Sequence, residues 1–164
     1  MPATYEPIAT TTLGSATNSI TFSSIPATYT DLRVVLVGAT SVADSIRMRL
    51  NSDTTSNYSR TQLLGDGATA TSTRTSGSAL ITLTTVSTDT TIPTLITADL
   101  FSYAGSTFKT VLATNSQDYN GSGNVGRTVA LWRSTSAIST ILLYTNAGNF
   151  NAGTTATLYG ILKA

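Results

Sequence analysis

Apolar and polar residues alternate with a period of two in many short segments of this 164-residue chain. The clearest example covers residues 125–145, which contain the only tryptophan, Trp132. Side chains two residues apart share a face of an extended strand, so Thr128, Ala130 and Trp132 point to the same side. The two small neighbours leave room for the indole ring, which predicts that Trp132 is buried. Two β-rich runs on either side of the polar residues 134–136 predict a β-hairpin at the centre of an all-β domain.

The same alternation predicts strands elsewhere in the chain. They cover residues 19–22, 31–38, 45–50, 58–64, 78–83, 95–103, 108–114 and 155–162. Residues 31–38 are apolar on both faces, which is typical of a central strand covered from two sides. In residues 45–50 we expect Ile46, Met48 and Leu50 to point inward; a short helix is the alternative, but the period of two fits better. Residues 68–77 are low in complexity and predict a surface loop. Eight to ten short strands with negligible helix indicate an antiparallel β-sandwich of two packed sheets.

The chain length suits one domain. We expect residues 18–164 to form the sandwich, preceded by an extended, polar arm of residues 1–17 that contains Pro2 and Pro7. This arm either packs loosely or docks on a neighbouring subunit. The N-terminus has no basic start followed by an apolar segment, so a signal peptide is not expected. The sequence has no run of about 18 or more apolar residues, so a membrane span is not expected.

Composition narrows the possible chemistry. The chain has no cysteine and no histidine, which excludes disulfides, thiolate or imidazole zinc sites and proton transfer by histidine. Charged residues make up 10%, serine and threonine about a third, and the net charge is +1. The basic residues are scattered along the sequence, so binding to nucleic acid or to a membrane surface is not expected. Few lysines are available to guard sheet edges, which indicates that other subunits cover much of the surface or that hydroxyl groups solvate it.

Two local arrangements match known sites loosely. Ser106 and Lys109 have the S-x-x-K spacing of serine acylases, but in a hairpin that spacing points the two side chains to opposite faces. Asn51, Asp53 and Asn57 place oxygen ligands within seven residues, as a calcium loop would, although only one of them is charged. We favour the alternative, a loop held by side-chain hydrogen bonds.

Other candidate chemistry is sparse. The only glutamate is Glu6, in the expected arm, so a pair of catalytic carboxylates is not indicated. Tyr144 and Tyr159 lie in strong strands and are expected in the core, whereas Tyr119, in a loop rich in glycine and asparagine, is the best candidate for contact with a sugar or a base. The sequons at residues 57–59 and 120–122 carry no weight without a secretory signal. We predict no catalytic, cofactor-binding or metal-binding residues and a protein that is not an enzyme.

Several short pieces, in this order along the chain, carry a resemblance to a known group of proteins. They are TYEPIA at 4–9, ITF at 20–22, IP at 25–26, YTDL at 29–32, RLN at 49–51 with Asp53, Asn57 and Tyr58, LWR at 131–133, and LYGI at 158–161. In these pieces the chain resembles small virion proteins of tailed bacteriophages, especially phages that infect cyanobacteria and other aquatic bacteria.

The resemblance implies a jelly-roll sandwich used as a structural part of the virion. We expect a capsid decoration or cement protein that binds the assembled shell. The alternative is a tail fibre, baseplate or receptor- or carbohydrate-binding module. The implied partners are further copies of the chain, with a trimer favoured, and the major capsid protein, after assembly in the host cytoplasm. The resemblance implies no catalytic or metal-binding residues in this chain.

Overall fold

The computed structural model of the protein describes residues 4–84 and 88–162. Within these ranges the chain forms twelve β-strands and no helix. The strands are β1 (Tyr5–Thr12), β2 (Ser19–Phe22), β3 (Asp31–Gly38), β4 (Ile46–Leu50), β5 (Tyr58–Gly65), β6 (Ala70–Ser78), β7 (Ile81–Thr82), β8 (Thr94–Phe101), β9 (Lys109–Asp118), β10 (Gly123–Trp132), β11 (Ile141–Thr145) and β12 (Thr155–Ile161).

The strands form two antiparallel sheets. The larger has eight strands in the order β1-β12-β3-β8-β9-β10-β5-β6, and the smaller has four in the order β2-β11-β4-β7. This arrangement confirms the predicted all-β sandwich. The jelly-roll type implied by the resemblance stays a prediction, because a jelly roll is defined by two Greek keys over eight strands.

The core lies between the two sheets, where most strands bury every second side chain, whereas the edge strands β1 and β6 do not. On β3, Leu32, Val34 and Leu36 are buried. The opposite side of β3 is not covered, since Val35 is half-buried and Val37 is 39% exposed. The prediction that residues 31–38 are covered from two sides is therefore wrong: the strand is central within its sheet, but one of its faces is on the surface.

The predicted hairpin across residues 134–136 is wrong. β10 pairs with β9 and β5 in the eight-stranded sheet, whereas β11 pairs with β2 and β4 in the four-stranded sheet. The connection over residues 133–140 therefore crosses from one sheet to the other. The predicted side of β10 is confirmed, because Thr128, Ala130 and Trp132 are all buried, with Trp132 only 2% exposed.

The described residues contain twelve strands, whereas eight to ten were predicted. Two strands that the alternation did not predict account for the difference. Residues 5–12, expected to be part of an arm outside the sandwich, form β1 and pair with β12, with an irregularity between Pro7 and Ala9. Residues 1–3 of that arm lie outside the described residues. The loop predicted at residues 68–77 is also wrong, because β6 pairs with β5 there. Both segments have mostly polar side chains, although Ile8 packs against the core, so backbone pairing at a sheet edge rather than apolar alternation makes them strands.

Candidate functional site

The carboxylate of Asp53 lies in the loop between β4 and β5 and accepts four hydrogen bonds. Oδ1 accepts from the backbone N of Thr55 at 2.8 Å and from its Oγ1 at 2.5 Å. Oδ2 accepts from Asn57 Nδ2 at 3.0 Å and from Trp132 Nε1 at 2.7 Å. Burial by itself raises the pKa of Asp53, but the donors on Thr55, Trp132 and Asn57 outweigh it and hold the pKa well below its usual range. The four lone-pair sites of a carboxylate are thus used by the protein.

Asn51, the first of the three oxygen ligands considered for calcium, faces a different segment. Its Oδ1 accepts from the backbone N of Ser139 at 2.8 Å and of Thr140 at 3.1 Å, and its Nδ2 donates to Ala137 O at 2.7 Å. The amide of Asn51 therefore holds the connection between β10 and β11 in place. Together with the bonds of Asp53, this is the loop held by side-chain hydrogen bonds that the sequence favoured.

Ser106 and Lys109 lie in the hairpin that connects β8 to β9. Ser106 is exposed, whereas Lys109 is fully buried. The Lys109 ammonium donates to Gly105 O at 2.6 Å, to Thr107 O, and to Thr135 O at 3.4 Å. Burial lowers the pKa of Lys109. The ammonium ties the β8–β9 loop to the connection between the sheets, and Ser106 is not among its partners, so the S-x-x-K spacing does not assemble a nucleophile with a base.

The tyrosines are distributed differently from the prediction. Tyr144 and Tyr159 were expected in the core but are only half-buried on the outer sides of their sheets, because their neighbours occupy the inward positions. Tyr58 and Tyr103 are instead fully buried. The Tyr58 ring stacks on Trp132 with the ring centroids 6.3 Å apart, and burial raises the pKa of Tyr58 to about 12. Sequence reasoning missed both residues, since each lies at a strand end or just beyond it.

An open cleft of about 1040 Å³ lies at one end of the sandwich, between the β5–β6 turn, the start of β8 and the β9–β10 turn. Asp66 and Asp118 line it, but each caps its own turn: Asp66 Oδ1 accepts from Thr69 N at 2.7 Å and Asp118 Oδ1 from Asn120 N at 2.8 Å. The Tyr119 hydroxyl, in the same β9–β10 turn, donates to Gln117 Oε1 at 3.0 Å. Tyr119 is half-buried and is not among the residues that line the cleft.

Three arginines, two on β4 and one on β5, lie near one another beside the four-stranded sheet. The guanidinium of Arg49 lies 5.0 Å from the centre of the Tyr144 ring, and Arg47 is the register partner of Tyr144. Burial, and then the charge of Arg47, lower the pKa of Arg60. Nε of Arg47 and the hydroxyl of Tyr144 are buried without a hydrogen-bond partner. Arg47 and Arg49 share the outward side of β4 because they are two residues apart, and only the fold brings Arg60 of β5 near Arg47.

Apolar side chains are concentrated on the side of the eight-stranded sheet that is turned away from the core, here called the outer face. Of the nine large hydrophobic residues exposed in the described ranges, seven lie on it. They are Tyr5, Val37, Leu63, Leu95, Phe101, Val125 and Val129. The other two, Val42 and Phe108, are in loops.

The sheet edges differ in how they are protected. β1 contains Pro7 and an irregularity, and β2 and β7 have only four and two residues, all of which hinder pairing with another chain. β6 is nine residues long, contains no proline, and has Arg74 as its only charge. Its pairing with β5 is regular from Ala70 to Thr75 and has an irregularity only near the end of the strand, before Ser78. Its side chains are mostly exposed on both sides. Among the sheet edges in the described residues, β6 is therefore the one most open to pairing with a further strand.

Neither protein-family models nor curated protein sequences match this chain. In the part of the chain that the structure describes, no three histidine, cysteine, aspartate or glutamate side chains come close enough together to hold a metal ion. No helix long and apolar enough to cross a membrane occurs in residues 4–84 or 88–162. The fold and these sites define an antiparallel β-sandwich with an uncovered apolar face and an open polar edge.

Proposed function

We propose that this chain is a non-enzymatic structural protein of a tailed-bacteriophage virion, and that it is a decoration or cement protein that binds and stabilises the assembled capsid shell. The resemblance of the short sequence pieces to small virion proteins supports this class of protein. It also implies that the sandwich is of the jelly-roll type. In this role the chain acts in the virion, with further copies of itself and the major capsid protein as partners. The resemblance favours a trimer.

The open edge of β6 is the observation that carries this proposal. An edge strand presents unpaired backbone N–H and C=O groups, and proteins that stay monomeric usually protect it with lysine, proline or short length. Over Ala70–Ser78 the chain offers only Arg74. In an assembled shell, a strand of a neighbouring subunit can pair with such an edge, and main-chain hydrogen bonds then supply affinity. The low content of charged residues, 10%, fits a surface that other subunits cover.

The surroundings of two charged side chains, Asp53 and Lys109, also fit a structural role. The Asp53 carboxylate and the Lys109 ammonium each join two segments of the chain through several hydrogen bonds. Catalytic groups need a free position toward a substrate. These two side chains instead use their hydrogen-bonding positions on the protein itself.

The test is immunogold labelling of virions purified from the culture that supplied the gene, with antibody raised against the recombinant chain. Label on the capsid supports the decoration role. Virions without label, in preparations where the major capsid protein is detected, overturn the virion assignment.

A second test addresses the β6 edge. Thr71→Lys with Thr73→Lys places two charges on β6, and should reduce co-sedimentation of the purified chain with undecorated capsids. Thr12→Lys, on the opposite edge β1, is the matched control and should co-sediment like the wild type. Equal co-sedimentation of both variants would remove β6 from the contact.

A second candidate function is a tail fibre, baseplate or receptor- or carbohydrate-binding module. The cleft at the end of the sandwich favours it, because amide and carboxyl groups there lie beside the apolar Leu95 and Val125. Polar groups around an apolar patch suit a sugar. Label at the tail in the immunogold experiment, together with binding on a glycan array, would support this candidate over the first.

A further inference from the structure

We infer that Arg47, Arg49 and Arg60, here called the arginine cluster, form a binding site for the carboxylates of an acidic segment of a partner protein. The inference deepens the proposed function, because it names the chemistry with which the chain would recognise a shell protein. It rests on that proposal only for the identity of the partner.

The arginine cluster lies beside β7, the two-residue edge strand of the four-stranded sheet. Arg47 and Arg49 are two residues apart on β4, so they share its outward side and are about 6.7 Å apart along the strand. Arg47 is the register partner of Thr82 on β7, and Thr82 O accepts from Gln62 Nε2 at 3.3 Å. Gln62 Oε1 in turn accepts from Arg60 Nε at 3.0 Å. The edges of both sheets therefore contribute to the cluster.

The chain supplies no counter-charge to the arginine cluster. All eight of its acidic side chains lie in the described residues, and each accepts a hydrogen bond from a group outside the cluster. Within residues 4–84 and 88–162 the one ion pair joins Asp99 to Arg33. Burial and the charge of Arg47 lower the pKa of Arg60, so these two cations disfavour each other. The cluster is a local excess of positive charge in a chain whose net charge is only +1.

The guanidinium groups also keep unused donors. Arg49 Nε donates to Ala79 O at 3.2 Å, but no Nη group of the three arginines donates to residues 4–84 or 88–162. All three side chains are half-buried, so their charges are only partly solvated. Nε of Arg47 and the hydroxyl of Tyr144 beside it are buried without a partner, which is uncommon in native proteins. An anion held by the Nη groups would offset part of this cost by its charge, without touching the two buried atoms.

Carboxylates of an extended segment are the ligand that the geometry favours. The planar fork of a guanidinium fits a carboxylate with two parallel hydrogen bonds, as Arg33 and Asp99 show in this chain at 2.6 and 2.9 Å. Alternate side chains of an extended segment are about 6.7 Å apart, which matches the spacing of Arg47 and Arg49.

Nucleic acid is a less suitable ligand. Its phosphates need a row of cations, whereas the net charge here is +1. A base would also need an open aromatic ring to stack on, and the guanidinium of Arg49 already lies 5.0 Å from the centre of the Tyr144 ring.

The test is an NMR titration of the nitrogen-15-labelled chain, followed through the Nε–H signals of its arginines. The probe is a blocked peptide with aspartate at alternate positions, and the same peptide with asparagine is the ligand control. We expect the aspartate peptide alone to shift the signals of Arg47 and Arg49. The signal of Arg127, which is exposed on the outer face, should stay in place. Binding should weaken as salt is added, because screening reduces attraction between exposed charges.

Arg47→Gln should raise the dissociation constant of the aspartate peptide about tenfold, because a charge-assisted hydrogen bond is lost. It should not lower the midpoint of urea unfolding without peptide, since it removes a like charge from beside Arg60. A purely structural arginine would show the opposite pair of results. Arg47→Lys keeps the charge without the fork and should weaken binding by a smaller factor. Arg127→Gln is the matched control and should bind like the wild type.

Signals of Arg47 and Arg49 that do not respond to the aspartate peptide overturn the inference, as do Arg47 variants that both fail to fold. Inorganic phosphate or single-stranded oligothymidylate that binds these residues more tightly than the peptide also overturns it, because the cluster would then select phosphate groups. Peptide binding by a chain that leaves virions unlabelled supports this site and overturns the virion assignment. Labelled capsids without peptide binding support the virion assignment and overturn this site.

Discussion

Replacing Asp53 by asparagine tests whether this carboxylate holds the β4–β5 loop to the end of β10. The substitution keeps the shape of the side chain and changes one acceptor oxygen to an NH₂ group. If that group faces Trp132 Nε1 and Asn57 Nδ2, donors oppose donors. If the amide turns over, the NH₂ group faces the backbone N–H of Thr55, which cannot reverse its role. In either orientation at least one donor loses its partner.

The expected size of the effect follows from these contacts. A hydrogen bond to a charged group contributes about 1.5–3 kcal/mol, and a donor left without a partner adds to the loss, so Asp53→Asn should lower the free energy of unfolding by about 2–3 kcal/mol at neutral pH. This is smaller than the total stability of about 5–15 kcal/mol that is usual for a domain, so the variant should fold. Urea unfolding can be followed by the fluorescence of Trp132, the only tryptophan. Asp118→Asn, at an exposed turn, is the control and should change stability by less than about 0.5 kcal/mol.

The difference between wild type and Asp53→Asn should also depend on pH. The pKa of Asp53 in the folded protein is lower than its usual value of 3.8, so the unfolded chain binds the proton more tightly than the folded one. The stabilisation by the carboxylate is therefore fully present above the ordinary pKa and is lost as the pH falls toward the folded-state pKa. The gap in unfolding free energy should narrow from about pH 5 downward. Equal stability of the two proteins at neutral pH, or a gap that does not change on acidification, would refute this account.

The remaining predictions concern packing and the sheet edge. Trp132→Ala should lower the unfolding free energy by about 3–5 kcal/mol in urea titrations, and the native tryptophan emission should be that of a buried indole. Gly160→Ala should cost about 1–3 kcal/mol, because a Cβ there would lie 2.4 Å from the Tyr29 ring, whereas Gly14→Ala, with no heavy atom within 4 Å, should change little. Lys109→Met should lower the free energy of unfolding by about 1–3 kcal/mol in urea titrations, since backbone carbonyls lose their buried donor. Deleting residues 1–12 should lower the unfolding midpoint, because it removes β1 and leaves β12 as the edge.

Local alternation determined much of the fold. The period of two assigned the buried sides of β4 and β10 correctly, because the two faces of a strand follow from the order of its own residues. The same reasoning placed the hairpin of β8 and β9, where a short loop leaves few alternatives. It also predicted the burial of Trp132, whose small neighbours share its side.

The pairing of strands, in contrast, was decided only by the tertiary structure. β10 and β11 follow each other in sequence but lie in different sheets, and β6 is a strand because β5 supplies its hydrogen-bond partners. The contact between Asp53 and Trp132 joins residues 79 positions apart. The apolar outer side of β3 is partly exposed because no further layer formed by residues 4–84 or 88–162 covers it. A side chain's position on a strand is a local property, whereas its hydrogen-bond partners and the surface that covers it depend on distant parts of the chain.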